Sequence, residues 1–159
     1  EILIGLVGSE MCIRDRIYSS PLQRALQTAE IIGRELHIPV IVNNDLIEGN
    51  FGINEGQYHK DIILTEEYKN WRNLDAEYIH FRFEGGESKY EIMQRMFAAV
   101  SALLETPEEV IGISSHSAAI RCLMLQFGLK MKRLENGALL RLTYNDGTWS
   151  VEEICDDSE

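Results

Sequence analysis

Apolar residues recur at helical spacing in two long parts of the chain. The first stripe predicts a helix from about Pro21 to Leu36, which Pro39 follows. Ser20 is a favoured N-cap, Pro21 suits the first helical position, and Gln23 stands where a capping box places Glu or Gln. The buried face of this helix is expected to carry Leu22, Ala25, Leu26, Ala29, Ile32 and Leu36.

The second stripe follows Ser88, and Glu91 completes another capping box there. Its apolar positions are Ile92, Met96, Val100, Leu103 and Leu104. We assign these positions to the core of the domain rather than to a cofactor site.

Short apolar runs outside the helices predict strands. Ile17–Ser19 and Val40–Val42 flank the first helix. Ala138–Tyr144 and Thr148–Ile154 flank the turn Asn145-Asp146-Gly147, which is a strong hairpin signal. This alternation of strands and helices is typical of an α/β layered fold.

One strand-to-helix junction carries a histidine. The apolar run Glu109–Ser114 fits a strand buried on both faces of a parallel sheet, and a helix is expected from Ser117 to about Phe127, closed by Gly128. His116 therefore lies where α/β sheets place their ligands. A protonated imidazole there can donate both N–H groups to an anion, but a hydrogen-bonded core histidine fits the position as well.

Arg24 lies in the first turn of the first predicted helix, among free backbone amides. A guanidinium beside a helix N-terminus is repelled by the helix dipole unless an anion lies between them. A bound phosphate or carboxylate explains this placement, and an exposed surface arginine explains it equally well. His37, His59 and His80 lie in polar or irregular surroundings, where we expect solvated side chains.

Composition narrows the classes of partner. The 159 residues suit one domain, and 45% apolar residues suffice for a sizeable core. A formal net charge of -11 argues against a nucleic acid or an anionic membrane as partner, so an anionic substrate must be attracted locally. No apolar stretch approaches the roughly 18 residues of a spanning helix, and we expect a cytoplasmic location.

The chain has three cysteines, Cys12, Cys122 and Cys155. They form no Cys-x-x-Cys pair and have no histidine at a spacing suited to zinc. We therefore expect Cys122 and Cys155 to be reduced and structural.

The run from Ser19 to Ala29, Ser-Ser-Pro-Leu-Gln-Arg-Ala-Leu-Gln-Thr-Ala, closely resembles a motif of the histidine phosphatase superfamily, the phosphoglycerate mutase-like proteins. The resemblance continues, in the family's order, through Leu46–Gly52, Glu55-Gly56, Gly85–Ser88 and Ser115-His116. It implies a three-layer α/β/α sandwich with a mostly parallel sheet. It also implies a phosphatase that hydrolyses a small phosphorylated metabolite, a phosphate monoester, through a phosphohistidine, with no cofactor or metal. The oligomeric state is not fixed by the resemblance.

The resemblance also implies roles for individual residues. Arg24 and His116 would hold the nonbridging oxygens of the phosphoryl group, and the backbone of Ser117, which replaces the usual glycine, would approach the phosphate. Glu48 would protonate the departing oxygen. Glu55 is expected to be structural, and Asn54 stands where the family has a tryptophan. A turn and an N-cap explain Gly85–Ser88 without any chemistry.

The beginning of the chain departs from the family pattern. The family's first strand ends in an Arg-His-Gly motif whose histidine is the nucleophile, and no such motif precedes Ile17. The stretch Leu6–Arg16 back-translates to a common transposase library adapter, so we interpret residues 1–16 as non-native and residues 17–159 as one domain lacking its first strand. The alternative is that Ile2–Val7 is a genuine buried strand. An open sheet position accepts any apolar extended segment, so this run is able to fill the position of the first strand.

Other functions stay open at this point. A phosphoglycerate mutase-type phosphotransferase is one, although the chain lacks the longer insertions that such mutases use. A noncatalytic remnant that binds a phosphorylated ligand is another, and an unrelated flavodoxin-like or response-regulator-like module is a third. The region Tyr58–Glu84 is expected to line or cover the pocket with Trp71, Tyr78, Phe81 and Phe83. Its sequence does not identify the substrate.

Overall fold

The computed structural model describes residues 2–5, 13, 15–130, 134 and 137–154. Within them, strands form one sheet in the order β3-β2-β4-β1-β5-β6. The first four in this order are parallel to one another. β5 is antiparallel to β1, and β6 is antiparallel to β5. The strands are β1 Ile2–Gly5, β2 Arg16–Ser19, β3 Val40–Val42, β4 Ile111–Ser114, β5 Leu139–Asn145 and β6 Thr148–Ile154.

Helices cover both faces of the sheet. They are α1 Gln23–Leu36, α2 His59–Ile62, α3 Glu66–Arg72, α4 Lys89–Ala102 and α5 Ser117–Gln126. Short 3-10 turns lie at Asn44–Leu46, Gly52–Asn54, Ala76–Tyr78 and Leu103–Glu105. None of the helices in the described ranges is long and apolar enough to cross a membrane.

The strands alternate their side chains between two hydrophobic clusters. Ile17 packs with Ala29 of α1 on one face, whereas Tyr18, Ile111 and Ile113 point to the other face, with the buried residues of α4 and α5. The predicted three-layer α/β/α sandwich with a mostly parallel sheet is confirmed.

The strand that we expected to be missing from the sheet is present. β1 pairs in parallel with β4, from Ile2 opposite Ile111, and antiparallel with β5. The peptide groups of β4 and β5 would otherwise lack partners between them, and a short apolar extended segment satisfies both strands. The sequence-based expectation that such a run is able to fill this position is therefore met by Ile2–Gly5.

The second strand begins slightly earlier than predicted. β2 begins at Arg16 rather than Ile17. The Asp15 side chain accepts hydrogen bonds from the backbone N–H groups of Glu109 and Val110, both at 2.7 Å, and Ile13 is buried against the sheet. Contacts with β4 and with the residues just before it thus include Asp15 and Arg16, which the sequence placed outside the domain.

The first helix begins later than predicted. α1 starts at Gln23, its N-cap is Leu22, and no side chain caps it. The predicted cap at Ser20 is wrong because the Ser20 hydroxyl is engaged elsewhere, as described below. The predicted end at Leu36 is confirmed, but Leu36 is 41% exposed and does not belong to the buried face.

The second helix and the hairpin match their predictions closely. Ser88 is the N-cap of α4 and forms the predicted capping box with Glu91. Leu104 lies beyond the end of α4 and is 38% exposed, so its assignment to the core is wrong. In the hairpin, Asp146 and Gly147 have φ of 48° and 82°, as a two-residue turn between twisted strands requires.

Candidate active site

The ends of β2 and β4 bring the predicted site residues together. Ser19 lies opposite Ser114 in the parallel register, and the Ser20 N–H donates to the Ser114 carbonyl at 2.9 Å. The residues that follow each strand therefore meet at the carboxyl edge of the sheet. Ser20 and His116 are both buried there.

His116 connects two elements of the site. Its Nδ1 accepts a hydrogen bond from Nε of Arg24 at 3.1 Å, and its Nε2 lies 2.7 Å from the Ser20 hydroxyl oxygen. An arginine nitrogen only donates, so Nδ1 carries no proton and the ring proton lies on Nε2. His116 therefore donates from Nε2 to Ser20.

The His116 ring is neutral at physiological pH. Burial, and then the nearby Arg24 guanidinium, lower the pKa of His116 from 6.5 to about 4. Of the two alternatives left open by the sequence, the structure has the buried, hydrogen-bonded histidine. In this arrangement only Nε2 is a donor, because the arginine occupies Nδ1.

Arg24 retains its predicted place in the first turn of α1 although the helix starts late. Its side chain is exposed, and the contact with His116 uses only Nε. The two terminal guanidinium nitrogens form no hydrogen bond or ion pair with any residue in the described ranges. They are therefore free to bind an anion at the mouth of the site.

Ser20 is the site residue that sequence reasoning missed. Its hydroxyl oxygen contacts His116 and accepts the Leu22 N–H at 3.2 Å. Ser20 directly follows β2, and β2 pairs with the strand that precedes His116, so its position could have indicated a contact with the histidine. The capping pattern of the following residues favoured an N-cap instead.

Glu48 is fixed at the start of α5. Its Oε1 accepts hydrogen bonds from the N–H of Ala119 at 2.9 Å and from that of Gly49 at 3.1 Å. Ala119 is in the first turn, where backbone N–H groups have no acceptor within the helix. Glu48 and His116 therefore share one helix N-terminus. No hydrogen bond to Oε2 forms within the part of the chain that the structure describes.

Arg95 supports the loop that carries Glu48. It makes two parallel hydrogen bonds to Glu87, at 2.9 and 3.0 Å, and donates to the carbonyls of Asp45 and Ile47 at 2.7 and 3.0 Å. Glu87 also accepts the Asn50 N–H at 2.9 Å. The predicted turn-and-cap function of Gly85–Ser88 thus extends to holding the Glu48 loop.

The remaining predicted residues lie around this centre. Ser117 is the exposed first residue of α5, directly after His116. The Glu55 carboxylate accepts the Phe51 N–H at 2.7 Å, which agrees with a structural role. Trp71 and Phe83 are each 4% exposed and pack in the hydrophobic core rather than facing solvent.

The described cysteine is structural. Burial raises the pKa of the Cys122 thiol to about 12, and Cys122 forms no disulfide. Cys12 and Cys155, and the acidic tail at residues 156–159, lie outside the described residues. The described side chains contain no group of three or more potential metal ligands.

A protein-family model matches most of the chain. The family model described as the histidine phosphatase superfamily (branch 1) matches residues 12–157. Curated relatives include the probable phosphoglycerate mutase GpmB of Shigella boydii serotype 18, which is 33% identical over 141 residues, and that of Escherichia coli K12, which is 34% identical. The match covers 84% of this chain and 65% of those proteins, so the chain spans less than two thirds of their length.

Solved structures share the fold. The mycobacterial glucosyl-3-phosphoglycerate phosphatase in complex with inorganic phosphate aligns with a TM-score of 0.71 at 22% identity, over 86% of this chain and 74% of that one. The alpha-ribazole phosphatase from Shigella flexneri aligns with a TM-score of 0.70 at 23% identity, over 88% and 72% of the two chains.

Proposed function

Since this chain belongs to the histidine phosphatase superfamily (branch 1), we propose that its site binds the phosphoryl group of a small phosphate monoester. The observation that carries the proposal is the contact between Arg24 and His116. Their side chains meet at the carboxyl edge of the sheet although they are 92 residues apart in sequence. The complete enzyme would hydrolyse the ester through a phosphohistidine.

Arg24 and His116 would bind the nonbridging oxygens of the phosphoryl group. The terminal nitrogens of Arg24 supply fixed positive charge, and Nε2 of His116 supplies a buried donor that a phosphoryl oxygen takes over from Ser20. A fixed positive charge and a donor held by the fold stabilise the negative charge of the transferring group. The backbone at Ser117, at the start of α5, would complete this side of the site.

Glu48 would act as general acid and then as general base. It would give a proton to the departing alkoxide and later take one from the attacking water. Oε1 is committed to two backbone N–H groups, so Oε2 is the oxygen that carries the proton.

The chain as written would lack the nucleophile. The residues before Ile17 contain no Arg-His-Gly sequence, and we propose that residues 1–16 are translated adapter sequence whose apolar residues nevertheless supply β1 and the buried Ile13 to the domain. Under this proposal the purified chain does not turn over para-nitrophenyl phosphate. Steady hydrolysis that His116→Ala abolishes would show that the nucleophile is present after all.

A phosphoglycerate mutase-type phosphotransferase is the second candidate, and it is favoured by the similarity to relatives that are described as probable phosphoglycerate mutases. The two functions differ in the acceptor of the phosphoryl group. In an enzyme whose first segment is restored from an intact relative, phosphatase activity releases inorganic phosphate. Mutase activity instead isomerises 3-phosphoglycerate faster than it releases phosphate.

The same restored enzyme tests the role of Glu48. Glu48→Gln should slow hydrolysis of a poor alkyl leaving group by about 10²- to 10⁴-fold, the usual contribution of general acid catalysis. An activated nitrophenolate needs little protonation, so its hydrolysis should change far less. Equal losses for the two esters, where phosphorylation of the enzyme limits the rate, would remove Glu48 from the acid's role.

A further inference from the structure

Lys89 is a buried cation that the proposed chemistry does not use. It is 1% exposed and occupies the first position of α4. Lysine is almost never fully buried, and a cation at a helix N-terminus opposes the helix dipole. Two unfavourable terms therefore act on Lys89, and the contacts of its ammonium group show what opposes them.

The ammonium group of Lys89 holds the end of a neighbouring helix. Nζ donates to the Trp71 carbonyl at 2.7 Å. Trp71 is in the last turn of α3, where carbonyls have no N–H partner within the helix, and Nζ also lies 5.6 Å from the centre of its indole ring. One cation thus satisfies the α3 terminus and contacts its largest side chain.

The charged groups that face Lys89 come from α5. Burial, opposed by the Cys122 thiol and reinforced by Arg121, lowers the pKa of Lys89 from 10.5 to about 8. Arg121 is always charged, and the Cys122 thiol has a pKa of about 12. Of these three groups, only Lys89 changes its charge near pH 8.

Trp71 connects Lys89 to the loop that carries Glu48. The Trp71 ring packs against Phe51, with ring centres 4.8 Å apart, and against Phe83, at 6.3 Å. Phe51 is three residues after Glu48 in the same loop. The Glu48 loop therefore has two supports. Arg95 donates to its Ile47 carbonyl, and Phe51 packs against the Trp71 ring, whose carbonyl accepts from Lys89.

We propose that Lys89 is a positioning residue, which fixes the end of α3 and, through Trp71 and Phe51, the loop that holds Glu48 against α5. The importance of this placement for catalysis rests on the function proposed above. The placement itself does not, because it is a property of contacts that are measurable without turnover.

The Ala119 amide reports on this arrangement directly. Its N–H has no helical acceptor, so its protection against hydrogen exchange depends on the bond to Glu48. The Gly49 amide donates to the same oxygen. Removing the Lys89 ammonium should raise the exchange of both amides, and of those at the end of α3, by roughly tenfold, the effect of one hydrogen bond to a charged group.

The test is NMR-detected amide exchange on the full chain with Lys89→Met, which keeps the length of the side chain. The matched control is Lys69→Met, which removes an exposed lysine that pairs with Glu66 within α3 itself. Faster exchange at Gly49 and Ala119 in Lys89→Met alone, with little change in Tm, is the expected result. The Tm should change little because the variant removes the cost of a buried charge together with the hydrogen bond to the Trp71 carbonyl.

The pH profile of the unmodified chain provides a second readout that needs no variant. Protection of Ala119, corrected for the intrinsic exchange rate, should decrease across about pH 8 as Lys89 loses its charge. It should be independent of pH there in Lys89→Met. A merely structural lysine would instead lower the Tm and loosen all amides together, and that result, or unchanged Ala119 protection, overturns the inference. Failure to bind inorganic phosphate would contradict the proposed function while leaving this result interpretable.

Discussion

Two segments of the chain carry the same capping signature and use it differently. Ser20-Pro21-Leu22-Gln23 and Ser88-Lys89-Tyr90-Glu91 both place a Gln or Glu three residues after a serine. At Ser88 the signature gives its expected structure, because the Ser88 hydroxyl accepts the Glu91 N–H at 3.2 Å and Glu91 accepts the Ser88 N–H at 2.8 Å. At Ser20 it does not, and α1 begins two residues after the predicted first position.

The difference lies in what each hydroxyl faces. The Ser88 hydroxyl contacts Glu91 in the first turn of its own helix, whereas the Ser20 hydroxyl lies at a sheet edge beside the ring of His116. A buried imidazole N–H that lacks an acceptor costs more than an uncapped helix end, whose N–H groups reach water. Local capping preference therefore yields to the site, as expected where a sequence serves function as well as folding.

The largest predicted effect is a difference in how the stability depends on pH between two strand-to-helix or loop-to-helix junctions, the Ser20 junction with His116 and the Ser88 junction with Glu91. The folded-state pKa of His116 lies below its unfolded value, so the folded state binds fewer protons between about pH 6.5 and 4. Stability should therefore fall as the pH falls through this window, by about 3 kcal/mol in total. Urea unfolding of the full chain at a series of pH values measures this loss.

The Ser88 junction should respond in a lower pH window. Hydrogen bonds from Ser88 lower the pKa of Glu91, so its contribution is present above the unfolded value of about 4.5 and is lost below it. Glu91→Gln should remove only this low-pH component, and His116→Gln only the higher one. If both variants lost pH-dependent stability over the same pH range, the two junctions would not differ as predicted.

The next effect is expected from Ser20→Ala. It removes the acceptor of the His116 and Leu22 N–H groups, so stability should fall by about 1–3 kcal/mol. Phosphate affinity should change as well, because Ser20 orients the His116 ring. Denaturant unfolding and calorimetric titration with inorganic phosphate measure the two effects, and a loss of stability with unaltered affinity would make Ser20 a purely structural residue.

Ser88→Ala should have a smaller effect confined to folding. Losing an N-cap costs about 1 kcal/mol, and the hydroxyl does not contact His116, Arg24 or Glu48. Its phosphate affinity should therefore equal that of the unmodified chain. A weakened phosphate site in this variant would mean that the two junctions are coupled through α4.

The smallest effects are expected at the far ends of the two helices. Leu36→Gln and Leu104→Gln should each change stability by less than about 0.5 kcal/mol, because both side chains are exposed. Leu103→Ala is the matched control, since Leu103 is 5% exposed and a buried leucine truncation costs about 2–5 kcal/mol. Thermal unfolding of the three variants compares them.

These helix ends show how far sequence periodicity reaches. The period of 3.6 identified α1 and α4 and most of their buried faces, but it does not show where a neighbouring layer stops. Leu36 and Leu104 continue the pattern beyond the sheet and so remain exposed. The hairpin turn was predictable because Asp146 and Gly147 carry its backbone requirement locally.

The site was only partly predictable for a related reason. The motifs identified Arg24, Glu48 and His116, and the parallel sheet explains why the ends of β2 and β4 bring two of them together. The protonation state of His116 was not predictable, because it depends on burial and then on an arginine from a distant part of the chain. Ser20, Lys89 and Arg95 were missed because their roles arise from tertiary contacts alone.

The most direct test of the proposed function is phosphate binding by the full chain with Arg24→Ala, measured by calorimetric titration with inorganic phosphate at neutral pH. Arg24 is exposed, so the variant should fold, and Arg34→Ala removes an exposed arginine from the last turn of the same helix as a matched control. We predict that Arg24→Ala weakens binding by roughly 10- to 100-fold, as expected for losing charged hydrogen bonds, while Arg34→Ala binds as the unmodified chain does. Equal affinity in all three proteins would contradict the assignment of this site to phosphate.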